Sequence, residues 1–318
     1  MSNCTTFEHS TTSSNVLIVF IVFKCLFFIA GILGNASVII YNVFLNHSKT
    51  PTSYFVVSLA INDLLACSLI YPIWIAEFVR DVLEITSDHM LPRFVTGTIA
   101  PITVLLSILT ILAITVDKFV CINWPLKYHL MVTWRRTHFA LLVIWVVGIV
   151  LIPFLQLFHT GKCVTNAFLW IFILLVYVFS PFSIIFILNY KIFKIAREQR
   201  LKIAVNSLPS DIMQSSNSSS LNLAFSRFRI TRELKTIKTF SIIIGVLFCC
   251  ISPCMILLFV EVIWCNGSCA VPVEVRLLFG DLLGVNSIVN PFVYGIRQRE
   301  YRNAFRRFLS KVYFFRES

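Results

Sequence analysis

Apolar residues along this chain fall into seven long continuous runs, at roughly 16–45, 53–79, 91–124, 137–158, 167–195, 231–263 and 271–296, divided by polar and basic segments. A helix needs about 20 mostly apolar residues to cross a bilayer core, and each run is long enough. The runs are continuous and do not alternate, which sets aside a lipid-embedded barrel. Lipid offers backbone N–H and C=O groups no partner, and a helix satisfies them internally. The pattern therefore predicts an all-α protein, a bundle of seven transmembrane helices. Beyond the last run, Tyr301, Phe305, Phe308, Leu309 and Val312 recur at helical spacing between Arg and Lys residues. This predicts a short amphipathic eighth helix on the cytoplasmic face. The chain then divides into a tail (1–15), a seven-helix body (16–296) and an amphipathic helix with a short tail (297–318).

Composition agrees with a membrane protein. Of 318 residues, 58% are hydrophobic and 13% charged, and Phe alone occurs 30 times. Soluble domains hold about 25% charged residues. The net charge of +12 would suit a nucleic-acid partner, but its placement argues for membrane lipid instead. With the N-terminus outside, the outer segments carry only Arg80, Arg93, Lys162 and Arg276, while 22 of the 27 basic residues fall inside and Lys24 lies within a span. That asymmetry is the positive-inside pattern, and it predicts a multi-pass plasma-membrane protein with an extracellular N-terminus and a cytoplasmic C-terminus. Residues 1–15 lack Lys and Arg, so the first span does not read as a cleaved signal peptide. The connection at about 196–230, with its Ser215–Ser220 run, reads as a flexible cytoplasmic loop or a cluster of phosphorylation sites.

Ionisable residues within spans are costly and tend to be functional. Here they are Lys24, Asp63, Asp117 with Lys118, and Asp281. Around them lie Gly34-Asn35 in the first span, Leu59 to Asp63 in the second, and Asp117-Lys118-Phe119 closing the third. Pro125 to Tyr128 follows, then Trp145 and Pro153, then Pro181, then Cys250-Ile251-Ser252-Pro253. Asn290-Pro291-Phe292-Val293-Tyr294 closes the seventh. With one such set per helix, in order, the chain resembles a rhodopsin-family (class A) G-protein-coupled receptor from about residue 20 to 312.

That resemblance carries expectations. Asp63, Ser107, Asn286 and Asn290 match the residues that hold an allosteric sodium ion in the family, and oxygen-only donors suit a hard cation. At the inner end, Asp117-Lys118-Phe119 stands where the family has Asp-Arg-Tyr, and Glu233 matches the acid of helix six. A Lys118–Glu233 lock is expected, weaker than usual because ammonium lacks the bidentate fork of guanidinium. Tyr294 completes the G-protein-coupling set. The helix-six switch keeps Pro253 but has Ile251 in place of the usual Trp, and the usual helix-five Tyr falls at Asn189.

The outer face departs further. The helix-three cysteine of the family falls at Arg93, so its usual bridge to the second outer loop is missing. A short second outer loop and the Cys265–Cys269 segment resemble the melanocortin, lysophospholipid and cannabinoid branch; Asn286 to Pro291 and Pro125 to Tyr128 look most like adenosine and melanocortin receptors. Outward-facing Cys4, Cys163, Cys265 and Cys269 allow three pairings. A Cys265–Cys269 bridge with Cys4–Cys163 is one, and a free Cys163 is the alternative. Asn3 is a glycosylation candidate. The family's known ligand residues do not carry over: the amine-receptor Asp of helix three falls at Ala100, the opsin Lys and the adenosine-type His at Gly284. Glu77, Arg93, Glu261, Arg276 and Trp74 remain as candidates at the ligand mouth, and Lys24 is expected to pair with Asp281, with Glu77 as its competitor.

The reading is a G-protein-coupled receptor, not an enzyme, that binds an extracellular ligand of unknown class inside the bundle and activates a heterotrimeric G protein as helix six moves outward. No cofactor is expected beyond the sodium ion, and no nucleic acid. The alternatives are a signalling-deficient receptor-like partner or decoy and, behind it, a membrane transporter or channel.

Overall fold

The computed structural model describes residues 13–46, 49–85, 90–156, 172, 174–205, 217–260, 272–297 and 301–303. Among them seven helices are long and apolar enough to cross a membrane, and no strand occurs. These are α1 (Ser14–Ile40), α2 (Pro51–Val82), α3 (Ala100–Asn123), α4 (Trp134–Gln156), α5 (Ser180–Val205), α6 (Asn217–Phe259) and α7 (Val273–Arg297). π-helical turns extend α1 through Tyr41–Leu45 and lead into α3 and α5 at Val95–Ile99 and Leu174–Phe179. A one-turn helix, Tyr128–Met131, lies between α3 and α4.

Local chemistry sets several ends. Thr50 caps α2: its hydroxyl accepts from Ser53 N at 3.3 Å, and Pro51 opens the first turn, where a missing N–H is harmless. Pro72, Pro153, Pro253 and Pro291 stand inside α2, α4, α6 and α7. Each removes one backbone hydrogen bond, and neighbouring helices make such interruptions tolerable in a membrane. α5 and α6 continue through much of the segment expected as a flexible connection, to Val205 and from Asn217. Hydropathy marks where lipid ends, and Lys, Arg and Glu continue a helix readily in water. Of the expected amphipathic eighth helix only 301–303 are described, and they are helical.

The helices pack around α3, which touches α2, α4, α5 and α6. Half of its spanning window is buried, against 17% for α1 at the rim. Ile108, Ile111 and Ile114 of α3 meet Phe55 and Leu59 of α2, Phe182 and Ile185 of α5, and Ile243, Leu247 and Ile251 of α6 in one apolar core. Outward-facing Val22, Phe23, Leu26, Phe139, Leu142 and Ile187 are exposed. Toward lipid this carries no penalty, because acyl chains are as apolar as Leu. What holds the helices together is close packing and internal hydrogen bonds. At Gly31, α1 approaches α2 so closely that a Cβ would collide with the Cys67 sulfur. Gly148 of α4 is tight against α3, where a Cβ would meet Leu106 Cδ2 at 2.6 Å.

Gly31→Leu should therefore destabilise the bundle by about 1–3 kcal/mol through overpacking. The thermal-unfolding midpoint of the purified protein measures this. Gly245→Ala, with nothing within 4 Å of the new Cβ, should leave the midpoint unchanged or raise it.

Candidate functional site

The interior polar residues gather into three groups along the bundle. At mid-depth, Asp63 is fully buried on α2 and accepts a hydrogen bond from Asn290 Nδ2 of α7 at 2.7 Å. Its neighbour Asn62 donates to Thr103 O at 2.9 Å and to Ser107 Oγ at 3.0 Å, both on α3. Asn35 of α1 donates to Gly31 O and, across the bundle, to Ser287 O of α7 at 2.9 Å. Trp145 of α4 donates to Ser58 Oγ of α2 at 2.9 Å. In a medium where an unpaired polar group is expensive, these bonds tie α2 to α3, α4 and α7 and set the rotation of each helix.

The expected sodium ligands are all in this region. Asp63, Ser107, Asn286 and Asn290 are each buried. Asp63 Oδ1 has no hydrogen-bond partner within ordinary distance among the described residues. No three His, Cys, Asp or Glu residues gather among the described residues. One carboxylate with neutral oxygens fits a hard monovalent cation better than a transition metal.

At the end of the bundle expected to face inward, Asp117 is clamped. Thr52 Oγ1 of α2 donates to Asp117 Oδ2 at 2.6 Å, and Tyr128 OH donates to Oδ1 at 2.8 Å. Lys118 Nζ lies 3.8 Å from Asp117 Oδ2 and is largely buried. The side chain of Glu233 lies outside the described residues, and with it the expected lock. On α5, Asn189 donates to Ile185 O at 2.9 Å and accepts from Ser241 Oγ of α6 at 3.2 Å. A polar tie between α5 and α6 thus stands at the position, Asn189, where the family usually has its helix-five Tyr. Tyr294 is buried against Phe240 of α6, with ring centroids 6.2 Å apart, and stacks on Tyr301 at 5.7 Å. Tyr301 in turn lies against Tyr41 at 4.0 Å and receives a hydrogen bond from Asn42 Nδ2 at 2.6 Å. Ile251 is buried in the apolar core, where its branched side chain supplies packing and no hydrogen bond.

Toward the end of the bundle expected to face outward, Lys24 of α1 forms a buried ion pair and hydrogen bond with Asp281 of α7. Lys24 Nζ also sits over the rings of Trp74 and Phe78, 4.4 and 4.9 Å from their centroids. A desolvated cation gains from such ring faces. The pairing is the expected one. Trp74 also lines a cavity of about 180 Å³ between α2, α3 and α7. Ser107 and Asn286 line the same cavity, so it reaches down to the mid-depth polar group.

The remaining expectations divide by position. Glu77 and Arg276 are part-buried at the outer ends of α2 and α7. Asn3, Cys4, Cys163, Glu261, Cys265 and Cys269 lie outside the described residues, as does the side chain of Arg93. Sequence reasoning missed Thr52, Asn62, Tyr71 and Ser241. Asn62, beside Asp63 in an apolar span, carried a signal; single hydroxyls inside long apolar runs carried none.

Comparison with known proteins gives a consistent result. A family model described as 7 transmembrane receptor (rhodopsin family) matches residues 34–294. The alpha-1A adrenergic receptor of Mus musculus is 26% identical, covering 97% of this chain and 71% of the relative. That of Homo sapiens is 25% identical over the same shares. That of Oryzias latipes is 25% identical over 89% of this chain and 65% of its own length. These relatives speak for the family and not for the adenosine, melanocortin and lysophospholipid branch.

The Lys24–Asp281 pair is open to a direct test. Lys24→Met alone strands a buried carboxylate and should cost about 3–5 kcal/mol, whereas Lys24→Met with Asp281→Leu should recover most of that. Thermal-unfolding midpoints of the two single variants and the double variant measure it; additive losses would show that the two groups are not coupled.

Proposed function

Because the chain belongs to the rhodopsin family of seven-transmembrane receptors, we propose that it is a plasma-membrane receptor that binds an extracellular ligand between its helices and activates a heterotrimeric G protein when α6 moves outward. Family membership carries this reading, since the family is one of receptors and not of enzymes. The interior adds support: the Asp63–Asn290 bond and the Tyr294–Phe240 contact join α7 to α2 and α6, and their rearrangement would accompany a swing of α6. Ligand binding acts by population shift, favouring the open state only through its differential affinity for it. The positive-inside pattern supports a cytoplasmic C-terminus and an inner face that receives the G protein.

The relatives' names point to adrenergic ligands. This chain has Ala100 where amine receptors carry the helix-three Asp, and the described residues lining its cavity include no acid. We therefore do not carry that ligand over.

Two departures bear on signalling. Lys118 replaces Arg, and Ile251 replaces the switch Trp. They favour, as a second reading, a receptor-like partner that does not signal. G-protein sensors in transfected cells separate the two. At matched surface expression, wild type should activate one G-protein class, and Glu233→Ala should raise basal activity about twofold to fivefold, the range expected from losing a weak ion pair. Silence of both across all sensors would favour the second reading.

Sodium binding at Asp63, with Ser107, Asn286 and Asn290 as further donors, belongs to the same proposal. An ion present at ten times its Kd adds about 1.4 kcal/mol of stability. The purified protein should therefore melt at a higher temperature in sodium chloride than in choline chloride. Asp63→Asn should abolish the difference, and equal midpoints for wild type would overturn the site.

A further inference from the structure

Of the four residues expected to meet a sodium ion, Ser107 offers a hydroxyl, and that hydroxyl is already engaged from α2. A serine hydroxyl carries one proton and two acceptor lone pairs. Within a helix the proton commonly goes to the carbonyl four residues back. Ser68, Ser180 and Ser183 do this here, donating to Leu64 O, Val176 O and Phe179 O at 2.8 Å each, and Thr115 donates to Ile111 O at 2.8 Å. Such a hydroxyl keeps both lone pairs for whatever lies on its other side. Ser107 departs from that pattern. Its acceptor four residues back would be Thr103 O, and that carbonyl takes one amide proton of Asn62 at 2.9 Å. The second amide proton of Asn62 goes to Ser107 Oγ at 3.0 Å. Ser107 donates no hydrogen bond of its own among the described residues. Asn62 and Ser107 are 2% and 1% exposed, so bulk water does not relax the arrangement.

An oxygen that ligates a cation turns a lone pair to the ion and its proton away from it. Asn62 works against both at Ser107. One lone pair already meets an amide proton, and the carbonyl that would draw the hydroxyl proton back onto α3 is taken. We propose that Asn62 is a positioning residue for the mid-depth cation site. By bridging Thr103 O and Ser107 Oγ it makes the serine a poor cation ligand, and it sets sodium affinity below what Asp63, Ser107, Asn286 and Asn290 would reach with an unbridged serine. The hydroxyl then meets the site as a donor, which suits a carboxylate and not a cation. This deepens the sodium reading and rests on it.

The test is a sodium titration of the melting midpoint, on the full chain in lipid nanodiscs, with choline chloride keeping the ionic strength constant. The quantity read is the sodium concentration that gives half of the rise. Asn62→Ala should lower that concentration roughly threefold to tenfold, the range of one neutral hydrogen bond. Asn62→Leu, which keeps most of the volume and lacks the amide, should do the same and stands in if the alanine variant does not fold. Both variants lose two hydrogen bonds, so their sodium-free midpoints should fall while their response to sodium sharpens. A merely structural role would lower the midpoint and leave the sodium requirement where it was. Ser107→Ala supplies the second arm. It should raise the sodium requirement at least threefold more in the Asn62→Ala background than in wild type, because only there is the hydroxyl turned as a ligand. An equal or larger cost of Ser107→Ala in wild type would overturn the proposal. So would a wild-type response that neither Asn62 variant sharpens, and that result would leave the sodium reading standing. Indifference of wild type and both Asn62 variants to sodium would remove the ion itself, and this inference with it.

Discussion

Hydrocarbon gives a polar group no partner, and this constraint governs how the seven helices are arranged. Each interior polar side chain that finds its partner on another helix sets the rotation of both. Asn35 reaches the α7 backbone, Asn62 reaches two sites on α3, Asp63 takes the amide of Asn290, and Trp145 reaches Ser58. Apolar packing alone would leave the helices free to turn, since their outer faces are as well received by lipid as by a neighbour. The Lys24–Asp281 pair is the strongest case of the same rule: α1, the most lipid-exposed helix, is tied to α7 by the two groups least able to stand alone.

The same rule bears on how movement would be controlled. Tyr294 sits between Phe240 of α6 and Tyr301, which is itself anchored to α1 by Asn42. On the other side of α6, Ser241 donates to Asn189 of α5. Among the described residues, the ties on α6 toward this end include that aromatic contact and that neutral hydrogen bond, each worth about 1 kcal/mol. Ties of that size are small enough for a ligand's differential affinity to overcome. An apolar Ile251 at the usual switch position leaves the middle of α6 to packing, with Ile243, Ile244 and Leu247 in the same core and Phe248 against Phe182 and Phe186 of α5.

The number of helices, their approximate limits and the family were legible in the sequence. Hydropathy sums along the chain without reference to any other segment, and the family motifs are short and local. The Lys24–Asp281 pairing was also within reach, because two lone charges of opposite sign at similar depth have few other choices. The helical continuation of α5 and α6 beyond the membrane was not, because hydropathy reports the solvent and not the backbone. Nor was the engagement of Ser107 by Asn62, or the Asn189–Ser241 tie, because a serine or asparagine in an apolar run gives no sign of which neighbour it will face.

What the sequence by itself determined, then, is what each helix is made of and roughly where it enters and leaves the membrane. The tertiary structure decided which faces meet. It placed Trp74 over Lys24 and beside the cavity, turned the Tyr71 hydroxyl to the bare backbone of Gly284, and set Asp63 against Asn290. The reason is geometric. Partner choice depends on the relative rotation and depth of helices far apart in the chain, and that information exists only once all seven are packed together.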